Sequence, residues 1–326
     1  MENNENSLSQ ITDTLESLVT GVPAPVRKNF FKAFAQLCTA AVDVPVAWLE
    51  GKANIIRATT DARNDIIKKS GIDISNNINI SPEYAEKAGQ IYASKIIKQQ
   101  INLDKIVLRA TEEINNNHSE YEKIGENEIS EDWLNEFENY AKLKSSEDMQ
   151  IIFSKILANE IHSPGKFKIK TLRTISQLTS EVAKIFLQFC SNCITVRKDG
   201  IIGLAFSPQF KKSAIYKEDF EYDDLFYFDI ANLKEYDLVM TDNFSFNFKL
   251  LSTEKDYHTI TFVGDKNIII TPQTEKARKL GLVMSGNYLS DSGMELLSIL
   301  NNEINPKLLS NLTKYFNARD IDIKLI

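Results

Sequence analysis

The sequence predicts an α+β fold, with a predominantly α-helical N-terminal and central bundle followed by a winged-helix-like α+β domain at the C-terminal end. Three observations lead there. As far as Cys193, apolar residues recur at the three- and four-residue spacing of buried helix faces. Beyond it, "FSFNFKLLS" and "DIDIKLI" alternate with period two, and "HTITFVGDKNIIIT" reads as two strands around a Gly-Asp-Lys-Asn turn. Short helical stretches lie between those strands, and helices followed by a twisted hairpin suggest a wing.

Residues 1–20 open with "MENNENSLSQ", too polar to order alone, and read as a disordered tail. Residues 21–118 form a long-helix region. "VRKNFFKAFAQLC" is its first helix, "DVPVAW" a bend, "GKANIIRATTDARNDIIKKSG" a charged continuation closed by Gly71, and Pro82 the start of a helix reaching about Asn115. Residues 119–129, within "NNNHSEYEKIGENEIS", are a polar linker.

Residues 130–193 form the central bundle. Ser130 caps a helix with Glu131 and Asp132 in its first turn, where the helix dipole favours acids. Trp133, Phe137, Tyr140 and Ala141 are its apolar stripe, and Met149, Ile152, Phe153, Ile156 and Leu157 form that of the next helix. A Pro164–Gly165 corner follows, then helices through Leu172 and Ile175 and through Val182, Ile185, Phe186 and Phe189. In the last domain, residues 194–326, "FDIANLKEYDLV", "SDSGMELLSIL" and "NPKLLSNLTKYF" are short helices, the third capped by Asn305 with Pro306 at its first position.

The chain has 326 residues, three cysteines and an acidic, Asn-rich start without a signal-peptide pattern, which points to a reducing cytoplasm. The most apolar segment, Asn29 to Gly51, is interrupted by Lys32, Asp43 and Pro45, so it is not a membrane span. Phe30, Phe31, Phe34, Leu37 and Trp48 are its candidates for oligomer contact or for a peripheral membrane anchor, and core or oligomer packing explains the stripe with fewer assumptions than lipid does.

The net charge of -7 is uneven: residues 151–200 carry 8 Lys/Arg against 3 Asp/Glu, while residues 201–326 carry 14 against 18. Lys166, Lys168, Lys170 and Arg173 are therefore the candidates for binding an anion or nucleic acid, with a solvated face as the plainer account. Other chemical patterns fall short. Glu160 and His162 sit two apart on a helix and face different ways. Cys190 and Cys193 follow a helix where a redox CxxC precedes one, and Cys38, His118, His162 and His258 are scattered as zinc ligands. Glu221, Asp223, Asp224 and Asp229 lack a partnered base at motif spacing, and Asp322 and Lys324 fit the outer face of a strand. The would-be recognition helix "DIANLKEYDL" is acidic, which suits a protein contact better than DNA. No metal, cofactor or catalytic group is expected, and interaction in place of catalysis is the expected mode of action.

Four stretches carry a resemblance: "EDWLNEF", "SSEDMQIIFSKILANEI", "PGKFKIKTLRTISQL" and "AKIFLQFC". Their Trp133, Ile156, Leu157, Ala158, Glu160, Pro164, Gly165, Phe167, Leu172 and Arg173 resemble the acidic-Trp start, "ILA-E" helix, "PG-F" corner and "RTL--L" helix of domain of unknown function family 2806 of bacteria. The order "TLRTI" departs slightly from that pattern. "GVPAP" near the N-terminus and "LSDSGMELL" near the C-terminus extend the likeness. The resemblance implies no particular activity. Similar helical proteins occur among abortive-infection and phage-defence genes, which implies defence as a setting.

Overall fold

A computed structural model describes residues 19, 21–38, 81–116, 127–198, 201–210, 227–242, 244–248, 258–262, 267–279, 282–300 and 303–325. The tail up to Leu18, the "DVPVAW" bend with Trp48, the helix closed by Gly71, the linker as far as Glu126 and the acidic run through Asp224 lie outside them. The chain divides into two compact units, Met1–Leu172 and Arg173–Ile326.

The first unit is helical. Helices α1 (Ala24–Leu37), α2 (Pro82–Asn116), α3 (Glu131–Ala141) and α4 (Glu147–His162) are followed by α5 (Ile169–Gln177), inside which the division falls. α1 begins with Ala24-Pro25 and buries Val26, Phe30, Ala33 and Leu37, one side of its surface at three- and four-residue steps. It meets α2, α3 and α4, and α2 lies along α4. Trp133, Phe137 and Phe153 form an aromatic run across α3 and α4, with centroids 5.1 and 5.6 Å apart. Ser130 accepts from the Trp133 N–H and caps α3 as the sequence predicts.

Buried amides fix how these helices meet. Asn29, on α1, donates to the carbonyls of Asn127 and Ile161 and accepts from the Ile129 N–H. The residues just before α3 are thus tied down, with Ile129 fully buried. Gln150, on α4, donates to the Lys144 carbonyl and to the Asn102 side chain, which itself donates to the Lys142 carbonyl.

The second unit carries α6 (Ser180–Ser191), β1 (Ile194–Lys198), β2 (Ile201–Pro208), α7 (Tyr227–Glu235), β3 (Phe244–Phe248), β4 (His258–Phe262), β5 (Asn267–Pro272), α8 (Glu275–Lys279), β6 (Leu282–Tyr288), α9 (Asp291–Leu297), α10 (Pro306–Asn317) and β7 (Ile321–Leu325). The strands form one antiparallel sheet in the order β3-β6-β2-β1-β4-β5-β7. Leu308, Leu312 and Phe316 of α10 join Ile194, Phe206, Ile268, Ile270, Met284 and Tyr288 of the sheet in one core. Phe206 and Tyr288 face each other in register, with rings stacked at 4.8 Å.

An α+β fold that is mostly helical is therefore as the sequence predicts. The expected hairpin is present as β4 and β5, but it belongs to a seven-stranded sheet that is broader than a wing. Strands β1, β2 and β6 were not among the expected elements. The last helix of the expected central bundle, α6, lies in the second unit, where it packs on α7.

Candidate functional site

The corner between α4 and α5 gathers most of the distinctive residues of the chain. α4 ends where Ser163 donates its N–H to the Asn159 carbonyl, and the Lys166 N–H then bonds to the Ser163 carbonyl. That closes a four-residue turn with Pro164 and Gly165 in its centre. Gly165 has φ +90°, the arrangement of a type II turn, in which proline fixes the first central residue and glycine takes the left-handed second.

Glu160 completes the corner. Its carboxylate is 2% exposed, and its two oxygens accept from the N–H groups of Gly165 at 2.6 Å and Phe167 at 2.9 Å. From the other side, the Trp133 indole donates to the Phe167 carbonyl at 2.8 Å. Both polar backbone groups of Phe167 are thus held by side chains from separate helices, while its ring is buried. A buried carboxylate accepting two N–H groups is a strong, charge-assisted arrangement. Here it serves the backbone.

Beside this clamp is a shallow groove of about 590 Å³, lined by Trp133, Glu160, Pro164, Gly165, Phe167 and Lys168 among others. Lys166, Lys168, Lys170 and Arg173 are all exposed, but of these four only Lys168 lines the groove. Lys166 reaches back to the Asn159 side chain at 2.6 Å, and Lys170 and Arg173 lie one turn apart on α5. His162 is half-buried, with Nδ1 2.8 Å from the Ser163 hydroxyl, so it and Glu160 do not form a pair.

The apolar stripe of α1 requires a correction. Phe30 and Leu37, expected as oligomer or membrane contacts, are each 1% exposed and belong to the core of the first unit. Their spacing marks the face that meets α2, α3 and α4. Phe31 and Phe34 are half-buried, and Trp48 lies outside the described residues.

Cys190 and Cys193 are buried at the end of α6, where burial pushes the Cys190 thiol upward and the Cys193 sulfur reaches the Phe189 carbonyl. Cys38 sits beside Asp104. Burial raises the pKa of both, and the Gln100 amide donates to the Asp104 carboxylate at 2.9 Å. Asp229 is in the first turn of α7, whereas Glu221, Asp223, Asp224 and His118 lie outside the described residues. Asp322 and Lys324 are exposed on β7. Among the described residues, no group of three His, Cys, Asp or Glu side chains is placed to hold a metal ion, and no helix is long and apolar enough to cross a membrane.

A second glycine-dependent turn lies in the second unit. Ser290 accepts from the Gly293 N–H, which caps α9, and donates to the Asp237 carbonyl. A Cβ on Gly293 would stand 2.2 Å from the Leu238 carbonyl oxygen, so only glycine fits. These residues come from the "LSDSGMELL" stretch, as Trp133, Glu160, Gly165 and Phe167 come from the central ones. In both places the distinctive residues build corners.

Sequence reasoning missed a second groove altogether. It has a volume of about 610 Å³ and runs along α2 beside the turn at Lys142 and Leu143. The one available signal was an isolated leucine in "AKLKSS".

A model of the family described as "Protein of unknown function (DUF2806)" matches residues 88–313. No curated protein and no solved structure matches the chain.

Proposed function

Because the chain belongs to the DUF2806 family of proteins of unknown function, we propose a role argued from surfaces: a bacterial, cytoplasmic protein that works by interaction and self-assembly, in the setting of anti-phage defence. One observation carries the interaction part. The first unit displays Tyr84, Ile91, Tyr92, Ile96 and Leu143 at 66, 72, 66, 44 and 59% exposure. Of these, Ile91 and Leu143 line one groove, and apolar side chains exposed together mark a contact surface more often than ones scattered singly. The setting rests on the resemblance to abortive-infection proteins alone.

Light scattering on the full chain tests assembly. Because α1 is part of the core, deleting it would unfold the unit, so the informative variant is Phe31→Ser with Phe34→Ser, which touches only half-buried positions. An oligomer that this variant weakens supports assembly through α1, and a monomeric wild type at working concentration rejects assembly. Phage plating on cells with and without the gene tests the setting.

The exposed cluster of Lys166, Lys168, Lys170 and Arg173 supports a second reading, nucleic-acid binding at the start of α5. A phosphate-driven complex weakens steeply with salt. Filter binding at two salt concentrations, repeated with these four charges reversed, decides it.

A further inference from the structure

We infer that the groove between α2 and the Lys142–Leu143 turn is a docking site for an acidic amphipathic helix of a partner protein. This rests on the reading of the chain as an interaction protein and adds what one of its surfaces takes. Three features argue for it.

The first is rigidity. Leu143 is 59% exposed, yet the backbone on either side is held: Asn102 donates to the Lys142 carbonyl at 3.0 Å, and buried Gln150 donates to the Lys144 carbonyl at 3.0 Å. An apolar side chain displayed on a pinned turn costs little ordering entropy when it is covered. Ile91, 72% exposed, faces the same groove from α2.

The second is charge. Between Lys87 and Leu103, α2 has three lysines and no acidic residue, within a protein of net charge -7. Lys95 and Lys98 line the groove from α2 and Lys142 from the turn, where Glu138, 3.4 Å away, offsets part of its charge. Two copies of this surface facing each other would set lysine against lysine, which disfavours self-pairing here. An acidic partner is complementary.

The third is shape. Groove positions on α2 run from Gln90 to Asn102, about 18 Å along the axis, or about three turns of a docked helix. Within this shallow groove Ile91 and Leu143 are two apolar anchors among lysine, glutamine and asparagine side chains, an arrangement that suits the apolar stripe and polar flanks of an amphipathic helix.

Fluorescence anisotropy on the full chain tests the inference, with a synthetic helix of glutamates and leucines, the leucines at i, i+3, i+4 and i+7, as the probe. The acidic helix is expected to bind, to weaken with salt, and to lose about tenfold in affinity in Lys95→Glu/Lys98→Glu and again in Leu143→Asp. All three are exposed positions whose replacement leaves the fold intact. Equal binding of the same helix with lysines for glutamates, or binding indifferent to both variants, overturns the inference. So does tighter, Lys95- and Lys98-dependent binding of single-stranded DNA or of phosphatidylserine vesicles, which would assign the lysines to another ligand. Light scattering on the same samples separates the two readings: an oligomer that ignores the probe leaves the interaction reading standing and rejects this site.

Discussion

The two glycine corners, Pro164–Gly165 in the helical unit and Ser290–Gly293 in the sheet unit, solve one problem by different means. In each, a side chain satisfies backbone groups of the corner: Glu160, from the helix before the turn, for Gly165 and Phe167, and Ser290, the first residue of its own corner, for Gly293 and Asp237. The glycines differ. Gly165 is needed for its conformation, with φ +90° and open space where a Cβ would stand. Gly293 is needed for close approach, because its neighbour is the Leu238 carbonyl. One corner depends on torsion and a buried charge, the other on proximity.

That contrast fixes an order of effects. Glu160→Ala leaves the buried Phe167 N–H and the part-buried Gly165 N–H without their charged acceptor and should cost about 3–5 kcal/mol in urea unfolding, whereas Glu160→Gln, which keeps one acceptor, should cost about half as much. If the two variants are equally stable, the clamp is not what holds the corner. Gly293→Ala forces a carbonyl aside and should cost about 3 kcal/mol. Gly165→Ala only strains a torsion and should cost about 1 kcal/mol, so a thermal shift larger than that of Gly293→Ala would reverse the distinction. Trp133→Phe removes one hydrogen bond to Phe167 and should fall between them, at about 2 kcal/mol.

Asp104 gives the smallest effect and a sign that can be checked. Burial raises its carboxyl pKa in the folded state. The folded protein therefore holds that proton more readily than the unfolded chain, and stability falls as pH rises from the ordinary carboxylate range through the raised value. Asp104→Asn should melt slightly above wild type at neutral pH, and the gap should close as pH drops below the ordinary range. A gap that widens on acidification would contradict the assignment.

The same contrast between units shows in how much the sequence discloses. Helices α2, α3, α4, α9 and α10 were legible from caps and apolar spacing, down to Asn305 accepting from the Lys307 N–H before Pro306 starts its helix. Among strands, legibility follows how the two faces are covered. In β5 and β7 burial alternates or nearly does. In β2 and β6, Ala205 to Pro208 and Gly286 to Tyr288 are buried in succession, so both faces are covered there and no alternation exists to be read. The candidate site divides in the same way. The Pro-Gly turn was readable, because its chemistry is local. Spacing alone separates Glu160 from His162, but which N–H groups Glu160 meets is visible only in the fold. Phe30 and Leu37 were correctly placed on one face, but periodicity does not say what covers a face.

Strand β7 has a consequence of its own. Among the described strands it pairs with β5 alone, so its outer margin offers N–H and carbonyl groups to any extended chain that drifts by. Asp322 and Lys324 stand exposed along it, two charges on a strand otherwise made of isoleucine and leucine. Such charges act as gatekeepers, since adding a further strand would strip them of water. Asp322 and Lys324 thus set a desolvation cost on any further strand at this margin.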